Sequence, residues 1–265
     1  MYKLVVSDLD GTFLNDSSEI PEKNIEALRL MNERGVTFAF ASGRSFHSLD
    51  RFYEALSLKG CGVCGIAFNG AVVYEVDGLK QIQKILLKNE SMQGLVSEMR
   101  PFLKDIYVYD AGGVLYSEYE TEIYNGYSVR SRVPCGIKNF GEITDDIIKV
   151  VLIQDHEIVS RVYEHLRDFV PGVCNMIFSS RRMLEFTDLN ATKGNAVRFI
   201  GEHTGVDISE IIAVGDNFND ESMIIQAGLG IVTANAEESL KRRAGYVTEA
   251  SNNDGALMEI VEKFL

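Results

Sequence analysis

Near the start of the chain, Asp8-Leu9-Asp10-Gly11-Thr12 places two carboxylates two positions apart. On an extended backbone that spacing points both to one side, and Gly11 lets the chain turn sharply straight after them. Taken alone, D-x-D-G is as readily a polar turn after a buried strand as a reactive pair. Other groups of matching chemistry stand further along: Ser42 ahead of Gly43-Arg44, the ammonium of Lys193, and the carboxylates of Asp216 and Asp220 in Gly215-Asp-Asn-Phe-Asn-Asp220, which also holds Asn219. Each has a plain alternative: a helix cap for Ser42, surface charge for Lys193, a capping or solvated pair for the two aspartates. Gathered in one place, such carboxylate oxygens are ligands of the kind that suit Mg²⁺.

These residues fall at the ends of the elements that the hydrophobic pattern predicts. Leu4-Val5-Val6 is a short branched apolar run, a buried strand that ends at Asp8. Pro21, then Ile25, Leu28 and Met31 at helical spacing and a stop at Gly35 give a helix. A second apolar strand over 36–41 delivers Ser42 and feeds a helix from about 45 to 58. Such alternation implies a parallel sheet, and open parallel sheets place ligands at the C-terminal ends of their strands. It returns late in the chain: a helix over 193–203, a strand over 211–214, a helix from Asp220, a short strand at 231–232 and a final helix from Asp254. Between these halves stand apparent hairpins at 72–79, turning at Asp77-Gly78, and at 106–116, turning at Gly112-Gly113, with helices near 90–102 and 157–169. The expected fold class is α/β: a Rossmann-like parallel-sheet core from residues 1–81 and 187–265, with an inserted α+β unit over 82–186.

Four motifs in this order, Asp8 to Thr12, Ser42-Gly43-Arg44, Lys193-Gly194 and Gly215 to Asp220, resemble those of the haloacid dehalogenase-like phosphatase superfamily and, within it, the Cof-type phosphatases. The resemblance covers nearly the whole chain, since that family's larger α/β cap is inserted between the Ser and Lys motifs, where the pattern breaks. It implies a Mg²⁺-dependent phosphatase that acts on small phosphorylated metabolites, sugar phosphates foremost, through an aspartyl-phosphate. Residue by residue it implies Asp8 as nucleophile and Asp10 as general acid, then base. Among the metal-site residues, it makes Asp8 and Asp216 side-chain ligands, the Asp10 backbone carbonyl a third ligand and Asp220 an anchor behind them. Ser42, with Gly43, would bind phosphate, Lys193 would supply its counter-charge, and Asn219 a further contact. Asn69-Gly70 matches a short N-G of the same proteins, which would set Asn69 facing the substrate. Many relatives carry a small residue or Ser directly before the Lys; here Thr192 stands there and can serve similarly.

The division of labour agrees with elementary chemistry. A carboxylate is a workable nucleophile toward phosphorus, whereas an alkoxide is a poor leaving group and needs a proton as it departs. Asp10 is therefore expected to be surrounded by negative charge that favours its protonated form. Asp8, Asp216, Asp220 and a phosphate dianion would bring about five negative charges together, and each like pair at roughly 4 Å costs about 4 kcal/mol at an effective dielectric near ~20. Lys193 alone cannot offset that, so a metal cation is required. The competing readings are a phosphomutase or phosphotransferase, and a phosphoryl-accepting module without turnover; Asp10 argues against the latter, because a pure acceptor needs no acid two residues beyond its nucleophile. Tyr107, Tyr109, Tyr124, Arg181 and Arg182 of the insertion are candidates for substrate selection, or else core and surface residues.

Composition narrows the class further. A chain of 265 residues is longer than most single domains. With 46% hydrophobic and 25% charged residues it is an ordinary globular protein, and no stretch approaches the ~20 apolar residues of a membrane span. After Lys3 only three apolar residues precede Ser7-Asp8, too few for the apolar centre of a signal peptide, so the expected location is the cytoplasm. The net charge of -13 repels nucleic acid and anionic lipid, and Lys241-Arg242-Arg243 is short enough to be a solvated helix face. No nucleic-acid or membrane partner is expected, and the protein is taken as a monomer. Cys61, Cys64, Cys135 and Cys174 read as free thiols, the C-x-x-C at 61 and 64 having no second pair to complete a zinc site. Gly60, Gly62 and Gly65 spell G-x-G-x-x-G, but a helix precedes them and a strand-like segment follows, the reverse of a dinucleotide-binding loop; they read as a turn.

Overall fold

The computed structural model covers residues 1–265. The chain opens with β1 (Leu4–Ser7), α1 (Glu22–Glu33), β2 (Thr37–Phe40) and α2 (Phe46–Ala55), then forms β3 (Cys64–Ala67), β4 (Val72–Glu75) and β5 (Lys80–Lys84). Next come α3 (Asn89–Met99), β6 (Ile106–Tyr109), β7 (Leu115–Ser117), α4 (Glu122–Ser131), β8 (Cys135–Ile137), β9 (Lys149–Ile153), α5 (His156–Leu166), β10 (Asn175–Ser180) and β11 (Met183–Thr187). It closes with α6 (Lys193–Thr204), β12 (Ile211–Gly215), α7 (Glu221–Gln226), β13 (Leu229–Val232), α8 (Glu238–Lys241), β14 (Tyr246–Val247) and α9 (Ala256–Phe264).

The core sheet runs β14-β13-β12-β1-β2, parallel throughout. Every residue of β1 and β12 is buried, which is why both read as unbroken apolar runs: a parallel strand covered on both faces has no solvent side to alternate with. Register then positions the site. Ser7 lies beside Val214 and beside Phe40, and the Asp8 amide donates to the Val214 carbonyl at 2.8 Å. The residues just past these strand ends, Asp8, Ser42 and Asp216, are therefore neighbours. On the far edge, Ala41 bridges to Ile66 and extends the pairing into the antiparallel β3-β4-β5 sheet. Strand β5 runs on to Lys84 and β11 to Thr187, so the divisions expected after 81 and 186 each fall inside a strand; Lys80–Lys84 is too polar for its pairing to be seen in hydrophobicity.

The inserted unit is a six-stranded sheet, β10-β11-β9-β6-β7-β8, antiparallel except between β7 and β8. Its strands alternate. Val108, Val150, Leu152, Leu184 and Phe186 pack with Leu95, Met99, Val159 and Val162 of α3 and α5 in a separate cluster of 20 buried residues. Tyr107, Tyr109, Val151 and Ile153 point the other way and join the 53-residue cluster that centres on the parallel sheet. With side chains alternating along a strand, Lys149 and Glu185 share this second face. Arg181 and Arg182 lie in the exposed turn between β10 and β11, where Arg182 pairs with Asp155; Tyr107 and Tyr124 are buried structural residues that bond Asp105 and the Gly136 carbonyl. Gly60 and Gly62 lie in the turn between α2 and β3, as expected, whereas Gly65 falls inside β3, paired with Tyr74.

Candidate active site

Lys193 opens α6, capped by the Thr192 hydroxyl, which accepts from the Asn195 amide. Its side chain is fully buried, and its ammonium donates to Asp8 Oδ1 and to Asp220 Oδ1, both at 2.5 Å. The other oxygen of Asp220 accepts from the backbone amides of Asp216 and Asn217 at 3.0 and 3.1 Å, so both its oxygens are engaged. Asp216 accepts from Thr12 Oγ1 at 2.6 Å, leaving its second oxygen available. One carboxylate oxygen from each of Asp8, Asp216 and Asp220 lies within 4.8 Å of the others. Gly11 is what allows this crowding: its φ is +83°, and a Cβ there would stand 2.7 Å from Asp216 Oδ2.

Asp10 departs from expectation. It is half-exposed, and Arg44 grips it as a fork, Nε to Oδ2 at 2.8 Å and Nη2 to Oδ1 at 2.6 Å. The expected surrounding negative charge is thus replaced by a guanidinium in direct contact. Ser42 does not cap the following helix; Ser45 does, accepting from the Ser48 amide. Ser42 is buried at the strand end with its Oγ accepting from the Arg44 amide at 3.2 Å, and its hydroxyl proton remains to be donated. Asn69, in the left-handed region that Asn tolerates, ties the neighbourhood together. Its amide bonds the Ser42 carbonyl, its Nδ2 reaches Glu185 Oε2 at 3.3 Å, and its Oδ1 accepts from Asn219 Nδ2 at 3.2 Å. Gly43 lies against this side chain: a Cβ would meet Asn69 Nδ2 at 3.1 Å.

Above these residues opens a cleft of about 740 Å³ between the strand ends and the inserted sheet. It is lined by Asp8, Asp10, Ser42, Gly43, Asn69 and Asn219 from the core. From the insertion come Tyr109, Tyr127, Lys149 and Glu185.

A family model for haloacid dehalogenase-like hydrolases matches residues 5–260. The chain belongs to that family. The Bacillus subtilis (strain 168) protein YxeH, which carries a provisional phosphatase name, is 30% identical over 268 residues, all of this chain and 99% of that one. An HMP-PP phosphatase of Escherichia coli (strain K12) is 25% identical across 91% of this chain and 87% of its own length. The crystal structure of TM0651 from Thermotoga maritima superposes with a TM-score of 0.86 at 30% identity, covering 100% of this chain and 98% of that one. The chain is a phosphatase of the haloacid dehalogenase-like family, with that family's α/β fold and inserted α+β unit.

Phosphatases of this family generally use a divalent metal, and the donor set here fits one. Burial pushes the Asp8 carboxyl well above its ordinary range; Lys193 opposes this, while Asp220 and Asp216 push the same way. Burial, then the Asp220 charge, lifts Asp216 to about 6, against the Thr12 hydrogen bond. Burial alone would lower Lys193, but the Asp220 and Asp8 charges outweigh it and raise it. One ammonium therefore under-compensates three carboxylates, and the oxygens left over, on Asp8 and Asp216, are hard donors suited to a hard cation.

Two further features were not visible in the sequence. Lys149 is buried and donates to Glu185 Oε1 at 2.6 Å and to the Gly43 carbonyl at 3.1 Å, with its ammonium 5.3 Å and 5.4 Å from the ring centroids of Phe68 and Tyr109. The insertion thus touches the phosphate-motif loop through a buried ion pair. The available signal was a charge inside each of two otherwise apolar runs, Lys149-Val-Val-Leu-Ile and Met183-Leu-Glu-Phe-Thr. The other is Arg44, present in the motif but assigned no role there.

Proposed function

We propose that this phosphatase hydrolyses small phosphorylated metabolites, sugar phosphates foremost, with Asp8 as the nucleophile that carries the phosphoryl group between two half-reactions. The observation that carries the reading is the Lys193 ammonium shared by Asp8 and Asp220 at the strand ends where Asp216 also arrives, open to the cleft. Lys193 bonds only Oδ1 of Asp8, so it holds the carboxylate in one orientation at the floor of the cleft, set for attack on phosphorus. Asp8, Asp216 and the Asp10 backbone carbonyl would hold Mg²⁺, which when bound supplies positive charge against the phosphoryl oxygens. Asp220 orients Lys193 and the Asp216 loop. The Ser42 hydroxyl donates to a phosphoryl oxygen, and Asn219 and Asn69 bound the same space.

Asp10 gives a proton to the departing alcohol and takes one from water in the second half-reaction. The Arg44 fork must part for Asp10 to hold that proton, and an incoming phosphate dianion is a natural competitor for the guanidinium. Residues 1–84 and 188–265 form the catalytic core in this reading, the bounds moved to the ends of β5 and β11, and 85–187 a cap that selects substrates through Lys149, Glu185, Tyr109 and Tyr127, polar groups suited to sugar hydroxyls. The HMP-PP phosphatase name of one relative supports a small phosphorylated metabolite as the substrate class. Four free thiols fit a reducing compartment, the cytoplasm.

The test is phosphate release from a panel of sugar phosphates with Mg²⁺ present, measured beside phosphoryl transfer to added sugars. Release with little transfer is expected, and dominant transfer would instead mark a mutase. Asp8→Asn should abolish turnover and leave the fold intact. Asp10→Asn should slow sugar-phosphate turnover by ~10² or more. With an aryl phosphate, whose leaving group needs no proton, the same protein should give a burst of one aryl alcohol per enzyme and then a slow steady state. Equal impairment of both steps on both substrates would remove Asp10 from its double role.

A further inference from the structure

The cleft holds a second concentration of charge that catalysis does not use. Arg51, on α2 of the core, and Arg130 and Arg132, at the end of α4 in the insertion, all line it. Arg44 gives its fork to Asp10, but Arg51, Arg130 and Arg132 form no ion pair, in a chain with 39 acidic residues and a net charge of -13. The guanidiniums of Arg44 and Arg51 both pack on the Phe52 ring, 5.5 and 4.6 Å from its centroid. The two units meet at this point, because the Ser48 hydroxyl of α2 donates to the Ser131 carbonyl. Arg132 closes α4 in the left-handed conformation (φ 51°, ψ 40°), its amide donating to the Ser128 carbonyl, a common way for a helix to end. Partial burial and the neighbouring Arg44 and Arg132 charges lower Arg51 from its ordinary value, against the pull of Asp10.

Unpaired guanidiniums facing an open cleft recognise carboxylates and phosphates through the paired N–H donors of their planar fork. We propose that the preferred substrate carries a second anionic group, a phosphate or carboxylate remote from the phosphoryl group that is removed. Arg51 on one side of the seam and Arg130 and Arg132 on the other hold it. This rests on the phosphatase reading of the same cleft and narrows its substrate class.

The experiment compares kcat/KM on matched pairs, fructose 1,6-bisphosphate against fructose 6-phosphate, and 6-phosphogluconate against glucose 6-phosphate; the first pair reports a phosphate, the second a carboxylate. Charged hydrogen bonds of this kind correspond to a preference of roughly 10- to 100-fold for the doubly anionic member of at least one pair. That ratio should collapse in Arg51→Gln and in the Arg130→Gln/Arg132→Gln double variant, and shrink as salt rises from about 0.05 to about 0.3 M. Ratios within about 2-fold of one for wild type in both pairs, or a preference that survives both variants, overturn the proposal. Calorimetry of the same compounds with Asp8→Asn protein reads the subsite without turnover. If no ester is hydrolysed, the phosphatase reading fails, while tighter binding of the doubly anionic compounds that the arginine variants lose still supports the subsite, and equal binding overturns it.

Discussion

Replacing Lys193 with Met keeps most of the side-chain volume and removes the one cation buried among three carboxylates. Two 2.5 Å ion pairs disappear, to Asp8 and to Asp220, and the Asp8–Asp220–Asp216 cluster is left with like charges only. Buried charges without a partner do not persist; they take up protons. The cost is therefore set by protonation. Holding one carboxyl neutral at pH 7, when its unfolded-chain pKa is about 3.9, takes about 4 kcal/mol at 1.36 kcal/mol per pH unit, and at pH 5 about 1.5 kcal/mol. The sign follows from linkage: Lys193 favours the charged form of Asp8, so without it the folded cluster holds one more proton than folded wild type between these pH values, and the variant's deficit grows as pH rises. Urea unfolding in a chelator, followed by circular dichroism at pH 5 and pH 7, should show a deficit relative to wild type of about 4 kcal/mol at pH 7 that shrinks by more than half at pH 5. A deficit under about 1 kcal/mol at pH 7, or one equal at the two pH values, would refute the claim that Lys193 is the counter-charge of the Asp8–Asp220 pair.

Chelation should remove activity and Mg²⁺ restore it, while Ca²⁺, with its larger and looser coordination shell, should inhibit; full activity in a chelator would overturn the argument from under-compensated charge. Because Asp216 sits at about 6 in the metal-free protein, protons should compete with the metal below that pH, so the Mg²⁺ concentration for half-activation, measured by titration at pH 5 and pH 7.5, should be higher at the lower pH. Gly70→Ala should lower activity tenfold or more by disturbing the start of α6, since a Cβ there would stand 2.2 Å from the Thr192 carbonyl oxygen and 2.9 Å from the Lys193 nitrogen. Gly78→Ala, also at positive φ but with nothing within 4 Å, is the control and should keep wild-type turnover; equal losses would point to backbone conformation rather than to displacement of Lys193.

What could be read in advance follows from which residues carry their own context. Strands β1, β2 and β12 were legible because two-sided burial makes a continuous apolar run, and their order implied a parallel sheet with Asp8, Ser42 and Asp216 at its C-terminal edge. Helix α4 was not, because Glu122–Ser131 buries only Tyr124 and has no apolar stripe to betray it. Lys149 and Glu185 could not be paired from the sequence, since a charge inside an apolar strand reads as a conflict until the strand across the sheet is known. The surroundings of Asp10 are a different case. Its expected setting of negative charge came from the proton that a general acid must hold, whereas the contact it makes is dictated by register. Strands β1 and β2 pair Ser7 with Phe40, so Asp10 and Arg44 leave adjacent strands within four residues of paired positions and turn into the same cleft. A guanidinium that close to an exposed carboxylate needs little else to form a two-point contact. Parallel neighbours, once inferred, thus predict more than the strand ends: they predict which residues of the following loops face each other, and here that step would have placed Arg44 on Asp10.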